Sequence, residues 1–435
     1  MSAEIIRVER LESGLRAAFV CLPHFRTHSA RLIFGAGSVH ETPDEYGAAH
    51  FLEHVAFQGT VAMPDEEDVY RYAELNGLAH NAFTGQMSTS YIADGYDLRS
   101  VGFFVTQLGF GPALTTEALE GERKPIVDEL RGYASSPYFN VGIAHARATR
   151  GELYARPIGG TIDEVQRMTP AALRAFHGRN YRFGNAVLVL CSPESVEQQR
   201  EFAEELMAGY REEGKDQPTF VHFSDFNPND LTASLQRVDL PPTAQSSVAI
   251  TYGMPETTSS REQLSYILVG MILSRAAHNR LRREMALCYG ASADITRISD
   301  PNFGRDKSWS HFTATANLNG EDAVKGLETL LADVLHKPLP EDVFESILIT
   351  LRRDYDHVMQ SNPSQIADRV RSILTNSTRD EVPLREVVDF AGTVSLDYLK
   401  KIHRQLVDTK PLVLASSPDP AVLDSVGDWA RSKIV

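Results

Sequence analysis

Cysteine is scarce: three in 435 residues (Cys21, Cys191 and Cys288), odd in number and far apart. That excludes a disulfide framework and a cysteine-built zinc site, and it suits a reducing compartment, with a cytoplasmic location as the default expectation. Long apolar runs are missing as well. Nothing approaches the ~18 consecutive apolar residues of a membrane span, so no membrane partner is expected. The opening MSAEIIRVERLESGLRAAFVCLP carries charges throughout and reads neither as a secretory leader nor as an acid-poor transit segment. Positive charge is in deficit, with 43 Lys and Arg against 58 Asp and Glu and a net charge of −15. A nucleic-acid partner is therefore not expected, because phosphate binding rewards clustered cations. What is present is an ordinary globular composition, 42% hydrophobic and 23% charged, at a length that accommodates two domains of about 200 residues each.

The first half alternates strands and helices. Segments 15–22 and 29–38 read as strands ending in glycine turns. Helical spacing follows over 44–58, with Asp44 after Pro43 as its expected N-cap, and again over 64–77, where early acids meet the dipole and Gly77 is the stop. AHNAFTG and STSYIADGY read as paired strands separated by Gly85. Helices fill 114–180, 185–192 is a buried strand, and an amphipathic helix closes the half. Residues 211–230 hold charge, Gly and Pro without a period, as a linker does. The order then begins again: 246–273 has the outline of 28–57, and 410–417 mirrors 185–192. The sequence predicts a duplicated α+β protein with homologous domains over 1–215 and 216–435. Setting Gly35 against Gly253 places His50, Glu53 and His54 opposite Leu268, Met271 and Ile272, so one half is equipped and the other is not.

The equipment lies in GAAHFLEHVAFQGT, residues 47–60. His50 and His54 at i and i+4 share a helix face and can present two imidazoles to one ion. Glu53 stands beside them, and H-x-x-E-H is the inverted form of the H-E-x-x-H zinc-protease motif. A catalytic zinc takes three protein ligands and keeps one position open, while a nearby carboxylate handles protons. The third ligand must come from another element. The helix TTEALEGERKPIVDELRGYASS offers Glu122 and Glu129 on one face, with Glu117, Glu120 and Asp128 as competitors that spacing alone leaves in play.

Together these stretches resemble the pitrilysin-type (M16, inverzincin) zinc peptidases, in particular the half-length, processing-peptidase-like members. GAGSVHETPDEYGAAHFLEHVAFQGT is similar to the family's motif stretch nearly throughout, with Val39 where an arginine is frequent. LNGLAHNAFTGQMSTSY resembles its Asn-Ala-x-Thr strand and the Thr-x-Tyr partner strand, with Met87 where an acid is usual. ERKPIVDEL resembles its Glu-Arg-x-x-Ile-x-x-Glu segment, and LRREMALCYGAS its Arg/Tyr segment.

The resemblance implies a fold of two homologous domains, each a mainly antiparallel sheet packed by helices, of the processing-peptidase/LuxS-like metallohydrolase type. It implies Zn²⁺ on His50, His54 and Glu129, with Glu122 orienting the site from behind and Glu53 as general base for the attacking water. Arg282 and Tyr289 would bind the substrate main chain and steady the oxyanion. A peptide or unfolded segment would add as a strand along Asn81, Ala82, Phe83 and Thr84. Two chains would enclose a chamber, as a homodimer or with a related chain. The expected activity is zinc-dependent endoproteolysis; the alternatives are a protease dedicated to one precursor peptide and a zinc-retaining, non-catalytic assembly subunit. The segment SSPYFNVGIA lacks the acids with which mitochondrial processing peptidases read a basic residue, and Tyr138 and Phe139 there suggest a more apolar pocket.

Overall fold

The structure, a computed structural model, describes residues 5–210, 235–254, 260–299, 308–375 and 386–433. The expected linker at 211–230, and with it the boundary between 215 and 216, lies outside the described residues. Two sheets carry the fold. The first comprises β1 (Ile5–Arg10), β2 (Arg16–Cys21), β3 (His28–Phe34), β4 (Ala79–Thr84), β5 (Thr89–Gly95) and β6 (Ala186–Ser192), in the order β1-β2-β6-β3-β5-β4. The second comprises β7 (Leu235–Asp239), β8 (Ser246–Gly253), β9 (Cys288–Ser299), β10 (Ser308–Leu318) and β11 (Leu412–Ser417), in the order β7-β11-β8-β10-β9.

The duplication is visible in this order. Strand for strand, β2-β6-β3-β5-β4 corresponds to β7-β11-β8-β10-β9. The one parallel pairing falls at the same place in both, β2 on β6 and β7 on β11, and the remaining pairs are antiparallel. Each half is thus an α+β unit with a mainly antiparallel sheet. β4 and β9 are corresponding edge strands.

The central strands of the first sheet are continuous apolar runs because both faces are covered. Phe19, Leu32, Phe34, Leu188 and Leu190 point into a core shared with α1 (Ala48–Val55), α3 (Leu98–Phe110) and α4 (Thr116–Ser135), α2 being Glu66–Leu75. The alternate residues Val20, Ile33, Val187 and Val189 point the other way, against Ile366, Val370 and Leu374. Those three belong to the second half of the chain, to the helix Pro363–Thr375. The converse contact also exists. α5 (Phe139–Arg150), from the first half, lies against β7 and β11, and its His145 Nε2 is 3.1 Å from the Thr251 hydroxyl. Each half therefore supplies one helix to the other's sheet, an exchange that sequence periodicity cannot reveal, since an apolar stripe does not name the surface it covers.

One buried cation fastens the exchange. Arg31 is 1% exposed. Its guanidinium donates to Asp94 Oδ1 at 3.0 Å, to Asp368 Oδ1 at 3.1 Å and to the Ser364 hydroxyl at 2.6 Å, joining the first sheet to the helix from the second half. Removing both carboxylates (Asp94→Asn with Asp368→Asn) strands a buried guanidinium and should cost roughly 3–5 kcal/mol. Arg31→Met replaces it with apolar volume, leaves the two acids free to take up water, and should cost less. Urea unfolding of the two variants reads the order directly, and the reverse order would refute the assignment. Among the described residues no helix is long and apolar enough to cross a membrane.

Candidate functional site

The helix bearing H-x-x-E-H is shorter than its spacing suggests. Pro43–Glu45 is a separate 3-10 turn and α1 starts only at Ala48, because Gly47 sits at φ +91°, in the left-handed region that breaks a continuous helix. A Cβ at Gly47 would lie 2.8 Å from the Gly159 carbonyl oxygen, so the position is closed to other residues by space as well as by dihedral. Asp44 is accordingly not the N-cap. That task falls to Glu41, which is 8% exposed and whose carboxylate accepts the backbone N–H groups of Gly47 and Ala49, each at 2.9 Å. Burial pushes the Glu41 carboxyl up to about 8, against the opposing pull of those two N–H groups. Glu41→Gln keeps the volume but turns an NH₂ toward one of the donors. We expect it to lower stability by about 1–3 kcal/mol and to weaken metal binding, readable by thermal melts with and without added zinc.

Ala48, Ala49, Phe51, Leu52 and Val55 bury one face of α1, and His50 and His54 share the adjoining face. Across from them, Ile126, Val127 and Leu130 anchor α4 in the same core and leave Glu122 and Glu129 facing α1. Glu129 Oε2 lies 3.2 Å from His54 Nε2 and 3.6 Å from His50 Nε2. One donor atom from each of the three side chains falls within 4.8 Å of the others. Metal–ligand bonds of about 2.0 Å arranged tetrahedrally place donors about 3.3 Å apart. Two imidazoles and a carboxylate at these separations therefore fit a zinc ion.

The competing acids are occupied elsewhere. Glu120 pairs with Arg123 at 2.6 Å and Asp128 with Arg131 at 2.9 Å, while Glu117 is exposed in the first turn of α4. Glu122 stands behind His54, its Oε2 2.9 Å from His54 Nδ1, and its Oε1 accepts from Gln58 Nε2 at 2.6 Å. With the Nδ1 proton held there, the Nε2 lone pair of His54 points at the shared site.

Electrostatics separate the two rings. Burial, helped by the nearby His54, pushes His50 down to about 4 and keeps it neutral, the form that binds metal. Burial works against protonation of His54 too, but its bond to Glu122 and the charges of Glu53 and Glu129 outweigh that and raise its pKa. Burial also raises Glu53, opposed by the Thr84 hydroxyl that donates to Glu53 Oε2.

That last bond ties the expected base to the edge strand. Thr84, expected as a substrate contact, is engaged by Glu53, and Ala82 is buried beside it. Phe83 is 57% exposed on the opposite pleat face. Asn81 Oδ1 accepts the N–H of Ala82 at 2.9 Å, so the side chain covers part of an edge that pairs with no strand among the described residues. Arg282 and Tyr289 are brought together with each other. Arg282 Nη1 donates to the Tyr289 carbonyl at 2.6 Å and the guanidinium lies 4.2 Å from the ring centroid, with the ring 77% exposed. Among the described residues no contact joins either of them to His50, Glu53, His54 or Glu129. Tyr138 donates to the Gln245 carbonyl at 3.2 Å, bridging the halves. Sequence reasoning missed Glu41, Gln58 and Tyr133, whose phenol the nearby Glu129 carboxylate pushes above its ordinary pKa. Gln58 lies four residues after His54 and Tyr133 four after Glu129, a spacing that could have found both.

Two family models match the chain. Insulinase (Peptidase family M16) covers residues 20–162 and Peptidase M16 inactive domain covers 167–351. An uncharacterized zinc protease of Mycobacterium leprae is 31% identical over 174 residues, which is 39% of each chain. Cytochrome b-c1 complex subunit 1 of the mouse mitochondrion is 30% identical over 185 residues, 42% of this chain and 38% of that one. These alignments span about two fifths of the length of those relatives. A protease from Helicobacter pylori of known crystal structure superposes with a TM-score of 0.83 at 17% identity, over 96% of this chain and 100% of the other. This chain belongs to peptidase family M16 and has its two-domain fold.

Proposed function

We propose that this chain is a zinc-dependent endopeptidase acting on peptides or unfolded segments. The observation that carries the reading is the convergence of His50, His54 and Glu129 beside a part-buried carboxylate, Glu53, that is itself tied to β4, an edge strand with no further partner among the described residues. Zinc held by those three side chains would polarise the scissile carbonyl and acidify the attacking water. Glu53 takes the proton from that water and delivers it to the leaving amine. The substrate main chain adds to β4 alongside Asn81, Ala82, Phe83 and Thr84, and Glu53 reaches it through the same strand. Arg282 and Tyr289, whose exposed ring and guanidinium touch nothing in the metal group, act across a pair of chains, steadying the oxyanion and the substrate backbone at the facing cleft. The pair is a homodimer or forms with a related M16 chain, and it closes a chamber that admits only small or unfolded substrates. Three free cysteines support a cytoplasmic location.

The test is cleavage of a mixed quenched peptide library by the purified protein, with zinc measured per chain and a chelated sample alongside. Turnover that vanishes on chelation and returns with zinc supports the reading. Zinc bound without cleavage of any library peptide points either to a protease dedicated to one precursor or to a zinc-retaining assembly subunit, the latter favoured by the similarity to a subunit of the cytochrome b-c1 complex. A protein that binds no zinc overturns all three.

A further inference from the structure

The hairpin that joins β4 to β5 ends against one arginine. Beyond Thr84, residues 85–88 turn the chain, and the Gly85 N–H donates to the Ser88 carbonyl at 2.8 Å. This turn meets the corner between α5 and the short helix Glu152–Ala155. Arg150, the last residue of α5, donates from Nη1 to Gln86 Oε1 at 2.8 Å. Gln86 Nε2 donates in turn to the Tyr154 carbonyl, and the Tyr154 hydroxyl lies 3.6 Å from Met87 Sδ. Gln86 follows Thr84 by two residues, a distance of about 7 Å at the rise of an extended chain. The guanidinium therefore stands at the end of β4, a short step beyond the residue that holds Glu53.

Arg150 is set apart by what it does not touch. Arg31, Arg123, Arg156 and Arg179, also buried or half-buried in this half, each meet a carboxylate. Arg147, one turn earlier in α5, is exposed and pairs with Glu152 at 2.6 Å. Arg150 is half-buried and meets no carboxylate among the described residues; its neighbours are the Gln86 amide and the Tyr154 ring, 5.9 Å away. Its Nε is buried without a hydrogen-bond partner, and burial pulls its pKa below the ordinary value. The last turn of a helix favours a cation, which accounts for the sign of Arg150 but not for its burial, since Arg147 answers the same dipole from the surface. A guanidinium taken from water without a counter-charge has most to gain from a carboxylate, which neutralises it and satisfies two donors at once.

We propose that Arg150 is a specificity-determining residue that receives an acidic side chain of the bound peptide. A peptide laid along β4 continues past Thr84 toward Gln86, and a side chain there comes within reach of the guanidinium edge that Gln86 leaves free. Aspartate or glutamate at that position supplies the counter-charge that the chain itself does not. The inference rests on the reading of β4 as the peptide-binding edge and adds to it the kind of residue the peptide carries.

The experiment uses the full chain with zinc present, carrying Glu53→Gln so that no probe is consumed. The probes are C-terminally amidated decapeptides with a neutral fluorophore, read by anisotropy. Their residues are uncharged except for a single glutamate, moved through every position, and each has a glutamine counterpart. We expect one placement of the glutamate to bind at least tenfold more tightly than its glutamine counterpart. Arg150→Gln, checked by thermal melting and zinc content, should erase that preference. Arg150→Lys should keep part of it, since a point charge attracts the acid without pairing to it, and Arg150→Glu should turn it toward lysine at the same position. Glutamate and glutamine peptides that bind alike, a preference that survives Arg150→Gln, or no binding by any peptide would overturn the proposal. A glutamine peptide with a free C-terminal carboxylate that matches the best glutamate peptide would overturn the assignment to a side chain. Failure of the peptidase reading shows elsewhere, as absent zinc or as an uncut library with Glu53 in place, and leaves the charge preference standing.

Discussion

Glu53→Gln is expected to keep one zinc per chain and the wild-type melting temperature while losing turnover by about 10²–10⁴-fold, the range that positioned acid–base groups contribute. The argument begins with what Glu53 does not do. It is not among the three side chains whose donor atoms converge, so replacing it removes no ligand. The amide has nearly the same volume, and its carbonyl oxygen can still accept the Thr84 hydroxyl that holds the carboxylate now, so neither packing nor the tie to the edge strand is lost. What disappears is the ability to take and return a proton. Burial has already raised the Glu53 carboxyl, moving it toward the range in which a group both accepts and releases protons under working conditions. A variant that loses zinc together with activity would show that Glu53 holds the metal. One that keeps more than a tenth of the wild-type rate would show that the base lies elsewhere.

How much of this could be read from residues alone varies with the range of the interaction. His50 and His54 are four apart on one helix, so their convergence follows from helix geometry and needs no fold. Glu129 is a different case. Spacing left five acids open on one stretch, and burial of Ile126, Val127 and Leu130 turns two of them, Glu122 and Glu129, toward α1; the resemblance to the family pointed to Glu129, and the packing sets Glu129 against both Nε2 atoms and Glu122 against His54 Nδ1. The helix start was misread for a local reason. Asp44 has the chemistry of a cap, but Gly47 turns the chain to positive φ, and the acid that reaches the freed N–H groups is Glu41, six and eight residues away along the chain. The repeat was legible as an outline and its strand order followed. The helix exchanged between halves was not, because Ile366, Val370 and Leu374 would make the same stripe against any apolar sheet.

The second large effect concerns the two acids of α4, and it separates a ligand from its support. Glu129→Ala removes one of three ligands. If a structural zinc is worth ~10–16 kcal/mol over its four contacts, losing one contact costs about 2.5–4 kcal/mol, on the order of 10²–10³-fold in affinity. Glu122→Gln leaves all three donors in place but disturbs what holds them. The Glu122 carboxylate spans His54 Nδ1 and Gln58 Nε2, and an amide there can accept from only one of the two, so a loss of about 10–100-fold is expected. Competition against a chelator of known affinity measures both, and Glu122→Gln should still fill to one zinc per chain at saturation. Without zinc, the repulsion between Glu53 and Glu129, which helps to raise the Glu53 carboxyl, opposes the attraction between Glu129 and His54, so the metal-free Glu129→Ala protein should melt close to metal-free wild type. Only on adding zinc should wild type move ahead, by the amount that ligand binding adds to the folded state. A Glu129→Ala protein that is destabilised without metal, and still gains as much from zinc as wild type does, would mean that Glu129 supports the fold and is not a ligand.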